Sequence, residues 1–350
     1  MPIPTIRERI GTDIAGRYRT ERLIGRGGMG VVYGGRHLWT ERPVAIKVLK
    51  SQYSEDPYFA RRFLQEARTA AGIRHPHVVD VLDMGQDEDG TVYIVLELLA
   101  GESLADRLKR TSRLSPDSVV GTLLPVMEAV AKAHARGVVH RDLKPDNIFL
   151  AEDEVVSPDV IPKVLDFGIA KVLEGSTLST HTGAIIGTPA YMAPEQAHAS
   201  PEVGPASDVW SMGVVFYRTL TGTSPFRAET PTATLAAVVT RDAPSLRDDA
   251  NVPPRLAAAV DDALRRDWRE RHASMEDFVT AVREAAAADG LEPKPLAVRR
   301  RSELPSERPA PPDAASPGAE RGPATRAVGG FGRPSTVAEL PGGQRAASSS

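Results

Sequence analysis

The pattern of hydrophobic residues changes near Gly101, and this change limits the folds that the chain can adopt. Before Gly101, short β-branched or alternating runs are typical of strands, and a single run with helical spacing covers residues 58–71. The predicted strands cover residues 18–23, 30–35, 43–49, 78–84 and 91–98. After Gly101, apolar residues mainly keep helical spacing. The pattern predicts an α+β chain in which a small β-rich lobe with one helix precedes a larger, mainly α-helical lobe.

Two helices of the second part have recognisable starts. Ser115 is a predicted N-cap with Pro116 at the first helical position, and the apolar spacing continues until Gly137. Ser274, with Asp277 three residues later, predicts the start of a last amphipathic helix that reaches about residue 287.

The C-terminal part of the chain has a different composition. Residues 290–350 contain 10 Pro and 8 Gly and a single aromatic residue, Phe331, which predicts a disordered tail because such a segment cannot bury a core. The tail carries a net charge of +3, so the total of -3 leaves -6 for residues 1–289. The folded part is therefore expected to be mildly acidic.

Composition also excludes several classes of function. The chain has no cysteine, which excludes disulfide frameworks, thiolate metal sites and cysteine nucleophiles. A net charge of -3 is unlike that of a nucleic-acid-binding protein, which needs a basic excess. No apolar run approaches the roughly 18 residues of a membrane span, and the N-terminus lacks the apolar core of a secretory signal. We therefore expect a cytoplasmic protein with no direct membrane insertion and no nucleic-acid partner.

A glycine-rich run is the first chemical signal. Gly25, Gly27 and Gly30 form a G-x-G-x-x-G pattern, and glycines let the backbone approach phosphates closely. A plain hairpin turn is the alternative. A dinucleotide-binding fold needs a helix directly after the last glycine, whereas Val31 and Val32 continue as a strand. The pattern therefore favours a flap between two antiparallel strands.

Lys47 is the second signal, because it is a cation on an apolar strand. Glu66, on the helix at residues 58–71, is a candidate partner for this ammonium. Taken alone, Lys47 is better explained as a surface lysine with its stem on the strand, and Glu66 is explained equally well as a solvated helix charge.

A more specific signal lies in the second part, where the chain reads His140-Arg141-Asp142-Leu143-Lys144-Pro145-Asp146-Asn147. Asp142 can orient a hydroxyl, Lys144 can neutralise a phosphate, and Asn147 can hold a metal ion. Asp166 follows in an Asp-Phe-Gly tripeptide, nineteen positions after Asn147. Phosphoryl transfer needs this set of groups, because positioning and charge neutralisation stabilise its transition state.

These motifs, in this order, closely resemble the eukaryotic-type (Hanks-type) serine/threonine protein kinases, and among them the bacterial members. Residues 187–195 resemble the end of an activation segment, and residues 207–213 the helix that braces the catalytic loop. Arg271 stands where the family pairs an arginine with a glutamate, here Glu195. The resemblance implies a bilobal protein-kinase-like fold whose divisions are an extension (1–12), an N-lobe (13–98), a C-lobe (99–289) and a disordered tail (290–350).

The resemblance also implies a role for each catalytic position. Gly25, Gly27 and Gly30 would cover the ATP phosphates, and Lys47, paired with Glu66, would hold the α- and β-phosphates. Asp142 would accept the proton of the substrate hydroxyl, Lys144 would meet the γ-phosphate, and Asn147 and Asp166 would hold Mg²⁺, with Mn²⁺ as an alternative ion.

The adenine ring needs an apolar slot and backbone hydrogen bonds. By the same resemblance, Leu96 is the expected gatekeeper, and Glu97 and Leu99 offer backbone groups. The base would be sandwiched by Ile24, Val32 and Ala45, although ordinary core packing explains any one of these residues equally well.

Substrate class and regulation complete the expectations. Lys144 and Thr188 resemble the serine/threonine class, so the expected substrates are proteins phosphorylated on Ser or Thr during signal transduction. Arg141 has no carboxylate partner in the local sequence, and a phosphate on Thr180 or Thr182 would supply one. We hypothesise autophosphorylation in trans through a transient homodimer.

Two other classes of protein share parts of this pattern. An inactive nucleotide-binding scaffold usually lacks one of Lys47, Asp142, Asn147 and Asp166, all of which are present. A small-molecule kinase usually lacks the segment at residues 187–195. One departure from the family is a longer, acidic stretch at residues 151–163, for which we expect a surface hairpin loop.

Overall fold

The computed structural model describes residues 9–28, 30–152, 159–167, 189–198 and 200–297, without the side chains of Gln52 and Glu66. Its first part is a six-stranded antiparallel sheet in the order β1-β2-β3-β4-β6-β5. The strands are β1 (Asp13–Ile14), β2 (Tyr18–Arg26), β3 (Gly30–His37), β4 (Pro43–Leu49), β5 (Val81–Gln86) and β6 (Val92–Glu97). All five predicted strands are present, with shifted bounds in four of them.

Two helices follow β4: α1 (Ser51–Ser54) and α2 (Pro57–Ala71). The predicted helix begins one residue earlier than expected, because Asp56 caps it by accepting a hydrogen bond from the Tyr58 backbone N–H. Phe63 and Ala67 of α2 are buried against the sheet. Residues alternate across β4, so Lys47 lies on the sheet face that α2 covers.

The second part is mainly helical. Its helices are α3 (Leu104–Thr111), α4 (Pro116–His134), α5 (Pro194–Ala197), α6 (Pro205–Thr221), α7 (Pro231–Thr240), α8 (Pro254–Ala263) and α9 (Met275–Ala288). The side chains of Ser115 and Ser274 cap α4 and α9, which confirms both predicted starts. No helix in the described part of the chain is long and apolar enough to cross a bilayer.

A three-stranded antiparallel sheet carries the segments on either side of the catalytic motifs: β7 (Gly101–Ser103), β8 (Ile148–Ala151) and β9 (Ile161–Val164). Strands β8 and β9 pair from Ile148–Val164 to Ala151–Ile161. The expected surface loop at residues 151–163 is therefore partly wrong. Its ends are strand, and Val160 is buried in the C-lobe core.

The two lobes are joined by backbone pairing as well as by the chain. The Val164 N–H donates to the His77 carbonyl at 2.9 Å, and the Val79 N–H donates to the Val164 carbonyl at 3.1 Å. Val78 thereby forms a parallel bridge with Val164 of β9. This explains why β5 begins at Val81 and not at the predicted Val78, since the intervening backbone is committed to the other lobe.

Residues 291–297, which we call the C-terminal strap, lie against the C-lobe. Leu291 and Leu296 pack on its core, the Glu292 N–H donates to Asp117 Oδ1 at 2.7 Å, and the Val160 N–H donates to the Leu296 carbonyl at 2.7 Å. The predicted start of the disordered tail at residue 290 is therefore too early. Local composition is typical of disorder there, but the groove between α4 and the β8–β9 hairpin supplies tertiary contacts.

The N-lobe likewise begins before the predicted residue 13. The Gly11 N–H donates to the Thr20 carbonyl at 2.8 Å, and the Arg9 guanidinium donates to Thr91 Oγ1 at 2.7 Å. These contacts attach residues 9–12 to the edge of the sheet.

Candidate active site

Two of the predicted catalytic side chains, Lys144 and Asn147, contact a third, Asp142. Lys144 Nζ lies 2.7 Å from Asp142 Oδ2. Asn147 Nδ2 donates to the Asp142 carbonyl at 2.8 Å and to Oδ2 at 3.1 Å. A 3-10 turn at Pro145–Asn147 brings Asn147 back to Asp142, and β8 begins at the next residue. The Asp142 carboxylate is about one-quarter exposed, at 24%, so it stays open to a substrate hydroxyl.

A buried carboxylate fixes the start of this loop. Asp208 of α6 accepts hydrogen bonds from the backbone N–H groups of His140 and Arg141, each at 2.7 Å, and from His134 Nε2 at 2.8 Å. Arg141 has a φ of 65°, which is unfavourable for a residue with a side chain. The three hydrogen bonds hold the strained backbone in place, so α6 braces the catalytic loop as the sequence predicts.

His140 connects the loop to the strand that leads to Asp166. Its Nδ1 accepts a hydrogen bond from the Asp142 N–H at 3.2 Å, so the proton lies on Nε2, which donates to the Leu165 carbonyl at 2.9 Å. The ring is fully buried and packs against Phe167 at a centroid distance of 5.0 Å. A single neutral histidine thus sets the spacing between the two halves of the site.

Asp166 and Lys47 come from opposite lobes and form an ion pair. Lys47 Nζ lies 2.7 Å from Asp166 Oδ1, with the two side chains 12% and 34% exposed. Asp166 has a φ of 54°, a second strained position in the site. The Leu165 N–H donates to the Asn147 carbonyl at 2.9 Å, which places Asp166 and Asn147 side by side at the open end of the β8–β9 hairpin.

The expected Lys47–Glu66 pair lies outside the described residues, because the Glu66 side chain is not among them. The backbone of α2 carries Glu66 on the helix that packs against the sheet face of Lys47. Thr180, Thr182 and Thr188 also lie outside the described residues.

Three of the predicted adenine-binding residues, Val32, Ala45 and Leu96, share a sheet face with Lys47. Val32 lies directly opposite Lys47 across β3 and β4, and Ala45 lies opposite Leu96 across β4 and β6. Ile24, near the end of β2, is 45% exposed, which is unusual for a large apolar side chain. Val32, Ala45 and Leu96 therefore form an apolar surface on the same sheet face as Lys47.

The backbone after β6 offers hydrogen-bonding groups at this surface. Within the described residues, the backbone N–H and carbonyl of Leu99 have no backbone partner. The N–H of Glu97 already donates to the Asp80 carbonyl at 3.0 Å, and its carboxylate binds Lys163 at 2.6 Å. Leu99 is therefore the freer of the two predicted positions.

The glycine-rich run connects β2 and β3 as an antiparallel turn, as predicted, with the Gly27 N–H donating to the Gly30 carbonyl at 2.8 Å. A Cβ on Gly30 would lie 2.6 Å from the Val48 carbonyl oxygen, so strand packing requires this glycine. A Cβ on Gly25 would meet nothing within 4 Å. Protein packing does not explain Gly25, and space is left beside it for a ligand.

A buried ion pair lies elsewhere in the C-lobe. Arg271 binds Glu195 through two hydrogen bonds of 2.9 Å, and its remaining N–H groups donate to backbone carbonyls of residues 206, 265 and 266. All five guanidinium donors are therefore satisfied. Burial on its own raises the pKa of Glu195, but the hydrogen bonds and charge of Arg271, with the Ser207 hydroxyl, outweigh it and hold that pKa below its usual range. The predicted Glu195–Arg271 pair is confirmed.

Comparison with known families agrees with this geometry. The family described as protein kinase domain matches residues 18–281. The chain belongs to the protein kinase family. Its relatives are bacterial serine/threonine-protein kinases. It is 38% identical to pkn3 of Myxococcus xanthus over 284 residues, which cover 79% of this chain and 51% of pkn3. It is 39% identical to PknA of Mycobacterium tuberculosis over 315 residues, which cover 89% of this chain and 68% of PknA.

Solved structures agree on the fold of this kinase. The crystal structure of the M. tuberculosis PknI kinase domain superposes with a TM-score of 0.62 at 26% identity, covering 79% of this chain and 98% of that domain. The chain spans about half the length of pkn3 and 44% of PrkC of Bacillus subtilis, to which it is 33% identical. The predicted bilobal protein-kinase fold and the bacterial serine/threonine kinase family are both confirmed.

Two residues of the kinase site were not singled out from the sequence. His134 fits the apolar spacing of α4, and nothing in that spacing marks it as a partner of Asp208. Gln196 holds the catalytic loop from the other side, because its Nε2 donates to the Arg141 carbonyl at 2.9 Å while its Oε1 accepts from the Ala193 N–H at 3.0 Å. Its position directly after the Ala-Pro-Glu motif is the only signal in the sequence.

Proposed function

We propose that this chain transfers the γ-phosphate of ATP to serine and threonine hydroxyls of protein substrates in bacterial signal transduction. The observation that carries the proposal is the convergence of Lys47 from the N-lobe with Asp166, and of Asp166 with the Asp142–Asn147 loop. Every position that the family's chemistry needs carries the expected residue. ATP is abundant in the cytoplasm, where we place the activity.

The described residues fit a nucleotide with a divalent metal ion. The open space beside Gly25 suits the phosphates. The free backbone of Leu99 and the apolar side chains of Ile24, Val32, Ala45 and Leu96, of which Ile24 is exposed, suit the base. Asp166 and Asn147 supply carboxylate and amide oxygens, the ligands that Mg²⁺ prefers, and Mn²⁺ accepts the same donors. When bound, Mg²⁺·ATP supplies the phosphoryl group and neutralises its developing charge.

The protein's own contribution is positioning and charge. Asp142 orients the substrate hydroxyl and accepts its proton, because its carboxylate is partly exposed and held by Asn147. Lys144, already 2.7 Å from that carboxylate, places a cation where the phosphoryl group would be transferred. Lys47, supported by Glu66, would hold the α- and β-phosphates under the cover of Gly25, Gly27 and Gly30, and Leu96 and Glu97 would border the base.

Regulation forms a further part of the proposal. Arg141 Nε is buried and has no hydrogen-bond partner in the described part of the chain, which is costly for a charged group. A phosphate on Thr180 or Thr182 would pair with Arg141, and we propose that one kinase molecule adds it to another in a transient homodimer. A Thr180→Ala/Thr182→Ala variant that keeps full activity and shows no altered lag would contradict this.

A transfer assay with radiolabelled ATP tests the proposed activity against the alternatives. Wild type and Asp142→Asn are incubated with a generic basic protein, with no added protein, and with a panel of small-molecule acceptors. We expect wild type to label the protein and itself, and Asp142→Asn to lose at least about 1,000-fold in rate. No transfer at all would favour an inactive scaffold, and labelling of small molecules alone would favour a small-molecule kinase.

A further inference from the structure

A cavity of about 440 Å³ lies in the C-lobe outside the nucleotide site. One wall is the 3-10 turn at Pro189–Tyr191, which precedes the Ala-Pro-Glu motif, and the other is the chain at residues 222–231 between α6 and α7. Arg218 on the last turn of α6 closes one side. None of the site residues described above lines this cavity.

The cavity lies close to the catalytic loop. Tyr191, in its wall, is fixed to α6 because Ser211 Oγ donates to the Tyr191 carbonyl at 2.8 Å. Burial raises the pKa of the Tyr191 phenol to about 12, while the charge of Arg218 lowers it and that of Asp146 raises it. Asp146 lies between Lys144 and Asn147 of the catalytic loop, so a charge of that loop acts on the phenol that lines the cavity.

The charge of the lining is positive. Arg218 and Arg227 contribute two guanidinium groups, against the single carboxylate of Glu229. Arg218 Nη1 donates to the Ser112 carbonyl at 3.0 Å, which holds the guanidinium in place without neutralising it. Arg227 is exposed, and its side chain has no hydrogen bond or ion pair within the described residues. Both guanidiniums therefore remain available to an anion.

We propose that this cavity binds a carboxylate side chain of the protein substrate, so that the kinase prefers Ser or Thr residues that have an Asp or Glu nearby in the sequence. The inference rests on the proposed function, because it assigns a specificity to the same transfer. A planar guanidinium is suited to a carboxylate, since it presents paired N–H donors at matching spacing. The lining carries one carboxylate that could attract a basic residue, Glu229, against two guanidinium groups.

A peptide series measures the preference. A neutral reference peptide with one Ser acceptor is varied by placing Glu, Gln or Lys in turn at each flanking position, and kcat/KM is determined for each with wild-type kinase. We expect Glu to exceed its isosteric partner Gln by about fivefold at one position, the range of partly exposed ion pairs. At that position Lys should fall below Gln.

Three variants assign the preference to the cavity. Arg218→Gln and Arg227→Gln should each reduce the Glu-to-Gln ratio of kcat/KM, and Arg218→Glu should reverse the order of Glu and Lys at that position. Arg241→Gln is the matched control, because Arg241 is an exposed arginine at the far end of α7 and its loss changes the net charge equally. It should leave the ratio unchanged.

The outcomes separate this inference from the function on which it rests. If no peptide or protein is phosphorylated, the proposed function fails. If peptides are phosphorylated but Glu and Gln are equal at every position, or Arg241→Gln reduces the ratio as much as Arg218→Gln does, the acidic-residue site is wrong. A phosphoserine that is preferred over Glu by more than tenfold would also overturn the assignment to a carboxylate.

Discussion

Two ion pairs of the kinase, Lys47–Asp166 and Arg271–Glu195, have similar chemistry and opposite surroundings. In the first, one oxygen and one nitrogen meet at 2.7 Å across the cleft between the lobes, and Asp166 is 34% exposed. In the second, the pair is bidentate, every guanidinium donor is used, and both side chains are buried. The second pair has no spare group for a ligand, whereas the first has several.

The difference separates a structural pair from one that serves chemistry. A buried pair with complete hydrogen bonding is rigid, and removing one partner leaves an uncompensated charge in the interior. A partly exposed pair is weak, because water solvates both ions well when they separate. Separating Lys47 from Asp166 therefore costs little free energy, so both groups are available to the phosphate and the metal ion that we propose for them.

We expect the largest effect from disrupting the partly exposed Lys47–Asp166 pair. Asp166→Asn should lower kcat by at least about 1,000-fold, because it removes the carboxylate proposed to hold the metal ion. The free energy of unfolding without nucleotide should change by less than about 1 kcal/mol. Radiolabel transfer and denaturant unfolding of the same preparation check both values. A large loss of stability would instead mean that the Lys47–Asp166 pair stabilises the fold, as the Arg271–Glu195 pair does.

For the buried Arg271–Glu195 pair we expect a large loss of stability. Arg271→Met should lower the free energy of unfolding by about 3–5 kcal/mol, because Glu195 is left buried without a cation. The double variant Glu195→Gln/Arg271→Met is the control and should recover part of that loss. Denaturant midpoints measure both. Equal stability of wild type and Arg271→Met would show that the pair is not a structural one.

The C-terminal strap provides a second fixed region to compare with the open cleft. A Cβ on Gly121 would lie 2.4 Å from the Lys294 carbonyl oxygen. Gly121→Ala should therefore destabilise the kinase by about 1–3 kcal/mol through overpacking, although alanine normally stabilises a helix interior by about 1 kcal/mol.

A double-mutant cycle identifies the strap as the cause. In a Leu291→Asp/Leu296→Asp background the strap should already be displaced, and Gly121→Ala should then have no cost or a small benefit. Thermal unfolding measures all four proteins. A cost of the same size in both backgrounds would mean that Gly121 contacts something other than the strap.

We expect the smallest effect in the pH dependence of the free energy of unfolding. The pKa of Glu195 is lowered in the folded state, so its ionisation stabilises the kinase above the unfolded pKa of about 4.3. That contribution is lost as the pH falls from about 4.3 through the lower folded value. Wild type should therefore lose more stability on acidification over this interval than Glu195→Gln does. Parallel acid-denaturation curves would count against the assignment.

The sequence predicts most of this site because its motifs are local. Asp142, Lys144 and Asn147 lie within one turn, and the capping residues Ser115 and Ser274 act within a few positions. The missed features depend on contacts between distant segments. His134 reaches Asp208 across 74 positions, and the strap is held in a groove to which Asp117, Gly121 and Val160 contribute. Composition alone cannot show such a groove, because it is a property of the packed helices.

A mechanical force applied to the chain beyond residue 297 would act first on the contacts of the C-terminal strap. Ala297 is bridged to Asp159, and the Leu296 carbonyl accepts from the Val160 N–H, so the load would fall first on these backbone contacts just before β9. The apolar anchors at Leu296 and Leu291 would yield next, and α9 only after them. Because β9 leads within two residues to Asp166, tension on the tail would reach Asp166 before it unfolded any helix.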